Sequence, residues 1–352
     1  MNNNRQNQIR ELLEKVKIGT QEIYNSDKYR NFLSTMSKFH KYSFRNNMLI
    51  MMQKPEATYV AGYSSWNKNF KRQVQKGEKG IQIIGFSTNN IEVEEFKKDH
   101  NGKIVYDKNG DPEKIKNIYK EPLFMPVYVY DITQTKGEPL PKLAHELIGN
   151  IEKYNDIILA LRKVSPHKIE FESIEGETKG YCDNVNKKIV IKEGMSQAQT
   201  IKTIIHEITH ADLHTPELKL TMENEGIDMQ TKEVEAESTA FVVCEHLGID
   251  TSDYSFGYIA SWSGSKDLPE LQSSLERIQK QSDDLIERVD KSVLEQMNIR
   301  DHGINDDQNL GKQSMEDRIN SAKKKSEQKN AALGSEEKIE NKERFKDAAI
   351  DR

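Results

Sequence analysis

The spacing of apolar residues predicts a chain of mixed helices and strands. Apolar positions recur at helical spacing through residues 1–24 and 26–54, and Pro55 ends this helical run. Shorter apolar runs bounded by glycine turns follow, which is typical of strands. The segment "LFMPVYVYDI" predicts a buried strand, and two Asn-Gly pairs, at 101–102 and 109–110, predict an exposed hairpin before it.

Helical spacing returns in the second half of the chain. Helices are predicted near 144–163, and "KKIVIKE" predicts a strand. Ser196 and Gln199 have capping-box spacing at the start of the next helix. A further helix is predicted from about 231 to 247, where Gly248 is a suitable stop signal. An amphipathic helix follows it, with apolar positions at Leu271, Leu275, Ile278, Leu285 and Val289.

These elements predict an α+β protein in three parts. A small α+β domain occupies 1–137 and is followed by the Gly/Pro linker "TQTKGEPLPKL"; a second domain occupies 144–297. Residues 298–352 are rich in Lys, Glu, Asp, Asn and Ser, and we expect a charged tail that is disordered or only transiently helical.

Composition narrows the class of protein. The chain has 352 residues, two cysteines and a polar first segment, so we expect neither a disulfide scaffold nor a signal peptide. No apolar run is long enough to cross a bilayer, and we expect a cytoplasmic protein without a membrane partner. The net charge of −5 hides an asymmetry: residues 26–86 carry 11 − 3 = +8, and residues 145–262 carry 11 − 21 = −10. The two regions are therefore expected to do different work.

The stretch "IIHEITHADLH" holds the most specific chemical signal. On a helix, His206 and His210 lie one turn apart on the face opposite the isoleucines, where they could bind one zinc ion. Glu207 is then placed to take a proton from the attacking water. The alternative is a solvent-facing polar stripe with incidental histidines, so a third ligand decides between the two.

"TKEVEAESTAFVVCEHLG" offers that third ligand. On a helical projection Glu237 falls within the apolar face, whereas Glu235 and Glu245 lie nearer water. A buried carboxylate needs a cation, so Glu237 is the predicted ligand, and Glu233 is the competing candidate. Pairing of Glu237 with Arg or Lys in the core remains the other possibility.

His214 and the preceding strand complete the predicted site. The metzincin pattern would require a histidine where Pro216 stands, so His214 is expected near the mouth of the site rather than on the metal. The strand in "NKKIVIKE" is a place where an extended substrate could pair. Tyr258, Tyr181 and His214 are all candidates for stabilising an oxyanion.

The basic segment 26–86 interleaves its charge with ten aromatic residues. Such a mixture suits single-stranded nucleic acid, because bases stack on aromatic rings and lysines contact phosphates. The competing interpretation is that the aromatics are core and the charges are a solvated face. The candidate contacts are Tyr42, Asn46, Tyr59, Trp66, Arg72, Lys76 and Lys79.

Two stretches carry a resemblance to a known family. "KYSFRNNMLIMMQKPEATYVAGYSSWNKNFKRQVQKGEKGIQII" resembles the single-stranded-DNA-binding domain of ArdC-type antirestriction proteins. "GYCDNVNKKIVIKEGMSQAQTIKTIIHEITHADLH", with "EVEAESTAFVVC" and "YIASW", resembles their zinc metallopeptidase domain and that of ImmA/IrrE proteins. The resemblance implies a zincin-like fold with His206, His210 and Glu237 on Zn²⁺, and Glu207 as the catalytic base.

The resemblance also implies a cellular role. It implies binding of single-stranded DNA and protection of the DNA of a conjugative or mobile element, with an unknown protein as the peptidase substrate. Two alternatives stay open. The metal site could be structural in a DNA-protecting protein, or the chain could be a regulatory peptidase that acts on a transcription factor.

Overall fold

The structure is a computed structural model that describes residues 2–24, 26–140, 152–215, 227–254 and 256–304. Residues up to Gln296 belong to one compact unit. Helices and strands are both present, and the α+β prediction is confirmed. Among the described residues, no helix is both long enough and apolar enough to span a bilayer.

Three helices open the chain: α1 (Asn2–Glu22), α2 (Ser26–Lys38) and α3 (Phe44–Gln53). Ser43 begins α3 by accepting a hydrogen bond from the Asn46 amide, as expected of an N-cap serine. Their apolar faces are buried, and the largest buried side chains include Tyr29, Phe32, Leu33, Met36 and Met48. Burial of these faces accounts for the helical spacing in the first 54 residues.

An antiparallel sheet follows, with strand order β1-β4-β3. Its strands are β1 (Val60–Gly62), β3 (Ile81–Phe96) and β4 (Lys114–Asp131), and α4 (Tyr63–Phe70) comes directly after β1. A short second ladder joins β2 (Arg72–Val74) to β5 (Thr135–Gly137). The carboxylate of Asp131 ties the end of β4 to the body by accepting hydrogen bonds from the Thr58 and Tyr59 amides, at 2.8 and 3.1 Å.

Strands β3 and β4 extend well beyond the body as a long two-stranded hairpin. Their pairing runs from Ile81 opposite Val129 to Phe96 opposite Lys114. The exposed hairpin is confirmed, and Gly102 and Gly110 have φ values of 78° and 85°, which favour glycine. The prediction of a buried strand at 123–132 is wrong for most of its length, because none of the described elements covers the outer face of this two-stranded hairpin.

The second half of the chain builds a small mixed sheet and a group of helices. The strands are β6 (Lys168–Glu172), β7 (Gly180–Asp183) and β8 (Lys188–Lys192). The helices are α5 (Glu152–Val164), α6 (Gln197–Leu213), α7 (Met229–His246), α8 (Ile259–Ser263) and α9 (Leu268–Ile304). The predicted helices that carry the histidines and Glu237 are therefore confirmed as α6 and α7.

Strand β8 lies in the centre of this sheet, parallel to β6 and antiparallel to β7. The expectation that a substrate pairs with "NKKIVIKE" is therefore wrong, since both edges of β8 are already hydrogen-bonded. Within the described part of the chain, β7 is an edge strand, and it lies against α6. An extended peptide would have to pair with β7 instead.

Helix α2 from the first predicted domain packs on α7 from the second. The hydroxyls of Tyr29 and Ser238 are 2.8 Å apart, and Arg30 donates to the Thr251 carbonyl at 2.9 Å. The boundary between 137 and 144 stays a prediction, and residues 141–151 lie outside the described residues. Helix α9 continues through residues 298–304, and the rest of the predicted tail lies outside the described residues.

Candidate metal centre

Helix α6 brings the two predicted histidine ligands together. It begins at the Ser196 cap, and its opposite face is buried at Ile201, Ile204, Ile205, Ile208 and Ala211. With that face fixed in the core, His206 and His210 point away from it, and their Nε2 atoms lie 3.0 Å apart. Their side chains are 17% and 15% exposed, which leaves the pair accessible to a small ion.

Glu233 of α7 completes a triangle of donor atoms. Its carboxylate oxygens lie 3.4 Å from the Nε2 of His206 and 3.4 Å from the Nε2 of His210. These three residues offer ligand atoms that all lie within 4.8 Å of one another. Adjacent ligands of a tetrahedral zinc with bonds of about 2.0–2.1 Å are roughly 3.3 Å apart. The two histidines and Glu233 therefore fit a divalent metal ion.

Glu237, the ligand predicted from the sequence, lies one helical turn further along α7. Its Oε2 is 3.5 Å from the Nδ1 of His206, and its Oε1 is 2.7 Å from the Nζ of Lys202. It therefore contacts the nitrogen of His206 that faces away from Glu233, and it also forms the ion pair that the sequence had left open. The assignment of Glu237 as a ligand stays a prediction, while this geometry suits orientation of His206.

The electrostatics of the centre favour a cation. Burial lowers the pKa of His206, but contacts with Glu233 and Glu237 outweigh burial, and the pKa rises to about 9. The contacts with His206 and His210 lower the pKa of Glu233 despite its partial burial. Negative charge thus surrounds the histidine nitrogens, as expected where a positive ion is held.

Glu207 lies beside the centre with little solvent contact. It is 7% exposed, and burial raises the pKa of its carboxyl group, although the positive charge of His206 and His210 works in the opposite direction. A carboxylate with a raised pKa is suited to accept a proton near neutral pH. This position agrees with the role predicted from the sequence.

Glu235, which the sequence projection placed near water, is fully buried. It is 0% exposed, and Arg277 of α9 donates to its Oε1 from Nε and Nη2 at 2.9 and 2.6 Å. The projection is wrong here because α7 packs against both α6 and α2 and has no single apolar face. Arg277 lies 42 residues away, and no local sequence signal identified it.

His214 connects this buried pair to the metal centre. Its Nε2 lies 3.2 Å from the Oε2 of Glu235, and its Nδ1 lies 2.9 Å from the Nδ1 of His210. If His210 uses Nε2 for a metal, its Nδ1–H donates to His214, and the Nε2–H of His214 donates to Glu235. The expectation of a position at the site's mouth is wrong, since the side chain is 4% exposed and occupied by these contacts.

We expect His214→Ala to weaken metal binding without removing it. Loss of a partner that orients a ligand histidine typically lowers metal affinity by roughly 10- to 100-fold. Arg277 still neutralises Glu235 in the variant, so the fold should persist. Competition with a chelator measures the affinity, and His100→Ala, in the exposed hairpin, is the matched control. Equal affinity in wild type and His214→Ala would contradict this role.

Two tyrosines remain candidates for oxyanion stabilisation. Tyr258 is 37% exposed, and burial together with the negative charge of Glu237 raises the pKa of its hydroxyl group, which therefore stays protonated. Tyr181 is 40% exposed on β7. His214 is less suited to this role, because both of its ring nitrogens already have partners.

Most of the predicted nucleic-acid contacts have structural partners in this fold. Trp66 is 0% exposed and donates its indole N–H to the Tyr130 carbonyl, so the expectation of an exposed ring is wrong. The side chain of Asn46 bonds both the amide and the carbonyl of Ile84, at 2.9 Å each. Arg72 donates to Thr135, Gly137 and Glu138 across the small ladder.

The other four candidates differ in exposure. Tyr42 and Tyr59 are half-buried, and the ring of Tyr59 packs against Phe70. Lys76 and Lys79 are exposed on the turn before β3. The DNA role of this set stays a prediction, and the two lysines are its most accessible members.

One known protein family matches the N-terminal third of this chain. Residues 2–121 match the family model for the N-terminal domain of anti-restriction factor ArdC. The metal centre on α6 and α7 lies outside the matched residues, so the assignment of that centre rests on its own geometry.

Two further comparisons cover more of the chain. An uncharacterized Bacillus anthracis protein, pXO2-81, is 28% identical over 323 residues, which make up 82% of this chain and 52% of that protein. This chain thus spans about half the length of that relative. Crystal structures of the antirestriction ArdC protein from R388 plasmid align with TM-scores of 0.42 (metal-free) and 0.40 (Mn(II)-bound), at 19% and 18% identity. The alignments cover 71% and 72% of this chain and 85% of the ArdC chain in each case.

Proposed function

We propose that this chain is an ArdC-type antirestriction protein that binds single-stranded DNA and carries a zinc-dependent peptidase centre. The observation that carries the peptidase assignment is the donor triangle of His206, His210 and Glu233 with the buried Glu207 beside it. A purely structural metal site has no need of an uncoordinated carboxylate next to the ion, whereas hydrolysis needs a base at that place.

The residues around the centre divide the work. The two histidines and Glu233 would hold a divalent metal, which would supply Lewis acidity for the hydrolysis of a peptide bond. Glu207 accepts the proton as water attacks the peptide carbonyl, and it delivers that proton to the leaving amine. Glu237 and His214 hold the two imidazole rings in place from behind.

The substrate of the centre is an extended peptide segment. Within the described part of the chain β7 is an edge strand that can pair with an extended peptide, and it contacts α6, the helix that carries the histidines. Tyr258 donates a hydrogen bond to the developing oxyanion in this arrangement. The protein that supplies the peptide is unknown, and we place the activity in protection of the DNA of a conjugative or mobile element.

The DNA-binding half of the proposal rests on the match of residues 2–121 to the N-terminal domain of ArdC and on the charge of +8 (11 − 3) over residues 26–86. We expect the full chain to bind single strands more tightly than duplex DNA, with affinity that falls steeply as salt rises. Lys76→Gln and Lys79→Gln should each reduce the slope of log affinity against log salt by about 0.7, the value for one phosphate contact on a single strand.

Fluorescence anisotropy with labelled single strands and duplexes of the same length measures these affinities. Lys108→Gln, near the hairpin tip, is the control for a lysine on a different surface. Equal affinity for single and double strands, or an affinity that ignores salt, would mean that the basic segment is only a solvated face.

A further inference from the structure

The outer face of the sheet carries a row of aromatic side chains that none of the described helices or strands covers. We define the aromatic ladder as Tyr63, Phe86, Phe124, Tyr128 and Tyr130. Strand register puts the strand members on one face, since Phe86 pairs with Phe124, and Tyr128 and Tyr130 follow at alternate positions of β4. The ladder continues to the start of α4, where the ring of Tyr63 lies 6.1 Å from that of Tyr130.

Four of the five residues of the ladder are more than half exposed to solvent, and Tyr130 is half-buried. Phe86 is 66% exposed, Tyr63 56%, and Phe124 and Tyr128 53% each. The opposite face of the same strands is buried, with Ile81, Ile83 and Val129 at most 5% exposed. Several exposed aromatic rings on one face of a sheet mark a binding surface rather than a packing defect.

A glycine and the strand spacing determine how the rings of the ladder are arranged. A Cβ added at Gly80 would approach the Cβ of Tyr128 to 3.0 Å and the Cζ of Tyr130 to 3.1 Å, so glycine lets both rings lie close to the neighbouring strand. The rings of Phe86 and Phe124 are 5.5 Å apart and form a second platform. Tyr128 and Phe124 are four residues apart on β4, or about 13 Å along the strand.

Positive charge lies at both ends of the ladder. Lys79 precedes Gly80, and Lys120 lies on the ladder's face four residues before Phe124; both are exposed. In the described part of the chain neither lysine forms an ion pair within 4.0 Å. Lys114 and Lys116, which lie nearer the hairpin tip, differ because they pair with Glu94 and Glu92.

We propose that the aromatic ladder is the surface on which single-stranded DNA bases stack, with Lys79 and Lys120 contacting the flanking phosphates. This inference rests on the proposed binding of single-stranded DNA and assigns that binding to a specific surface. Sheet aromatics that stack bases are a recurrent way to hold single strands without reading their sequence. Tyr63 and Phe86 belong to the basic segment 26–86, but no ring of the ladder is among the candidate contacts named from the sequence. Those candidate rings are Tyr42, Tyr59 and Trp66, which are half-buried or buried.

Charge argues against a second copy of the chain as the occupant. A two-fold pairing of ladders would set the Lys79 end of one copy against the Lys120 end of the other, cation against cation. A phosphate backbone instead offers both lysines an anion.

The test uses the full chain and a fluorescein-labelled oligothymidylate, which forms no duplex of its own. We expect Phe86→Leu, Phe124→Leu and Tyr128→Leu each to weaken binding by roughly 5- to 100-fold, the range for loss of one stacked base. Leucine keeps an apolar side chain but removes the ring. Phe124→Tyr should retain wild-type affinity, because it keeps the ring.

Phe96→Leu and Tyr106→Leu are matched controls, since both rings are exposed on the same hairpin but lie nearer its tip. Thermal unfolding of each variant checks that the hairpin and body remain folded.

If the wild type binds and all ladder variants bind equally well, the ladder is not the site, while single-strand binding stands. If the wild type binds no single strand, both proposals fall. A wild-type dimer in sedimentation that the ladder variants abolish, at unchanged DNA affinity, would make the ladder a self-association surface and overturn the inference.

Discussion

Glu207→Gln should keep the metal and the fold but lose peptidase activity by roughly 10²- to 10⁴-fold, the usual contribution of a general base. Glutamine preserves the size and most of the polarity of the side chain, but it cannot accept a proton from the attacking water.

The measurement follows cleavage of a panel of candidate protein substrates, together with metal content and thermal unfolding of the same samples. Glu193→Gln is the matched control, since this carboxylate is exposed after β8 and lies outside the centre. Cleavage at the wild-type rate by Glu207→Gln would exclude Glu207 as the base. A wild type that holds metal but cleaves nothing on a broad panel would favour a structural ion in a DNA-protecting protein.

Helix α6 and its pair of histidines could be predicted because all of the sequence features that define them are local. A serine cap, a buried row of isoleucines and two histidines one turn apart all lie within 17 residues, and the geometry of a helix fixes how they relate. Once the isoleucine face enters the core, the histidines must point together on the other side. No knowledge of the remaining fold is needed for that step.

Helix geometry alone could not decide whether Glu233 or Glu237 is the third metal ligand. Both carboxylates lie on the side of α7 that faces α6, one turn apart, and each contacts a different nitrogen of His206. Which one meets both histidines depends on how α7 is rotated and shifted against α6. That register is set by packing of α7 against several elements at once, including α2.

The aromatic residues show a similar limit. Composition indicated that the basic segment is rich in rings, but it could not separate Trp66, which is 0% exposed, from Phe86, which is 66% exposed. The difference arises because α4 packs its tryptophan inward, while β3 runs out into a hairpin with one uncovered face. Whether a ring is exposed depends on which elements pack over it, and the residue type alone does not reveal that.

The final prediction separates the two carboxylates on α7. We expect His206→Ala and Glu233→Ala to abolish stoichiometric binding of zinc, because each removes one of three donors that converge on a single point. Glu237→Ala should only weaken binding, by roughly 10- to 100-fold, since it removes a partner of His206 and leaves the donor triangle intact.

Elemental analysis gives the stoichiometry, and titration against a chelator gives the affinity, with Mn²⁺ tested beside Zn²⁺. Thermal unfolding provides an independent readout, because an ion at 100 times its Kd stabilises the folded wild type by about 2.7 kcal/mol. The variants that lose a ligand should show no stabilisation by the ion, and Glu193→Ala should be stabilised as much as the wild type. If Glu237→Ala loses the metal while Glu233→Ala keeps it, then Glu237 is the third ligand, as the sequence predicted. The carboxylate of Glu237 would then have to leave its contacts with Lys202 and with the Nδ1 of His206 when the ion binds.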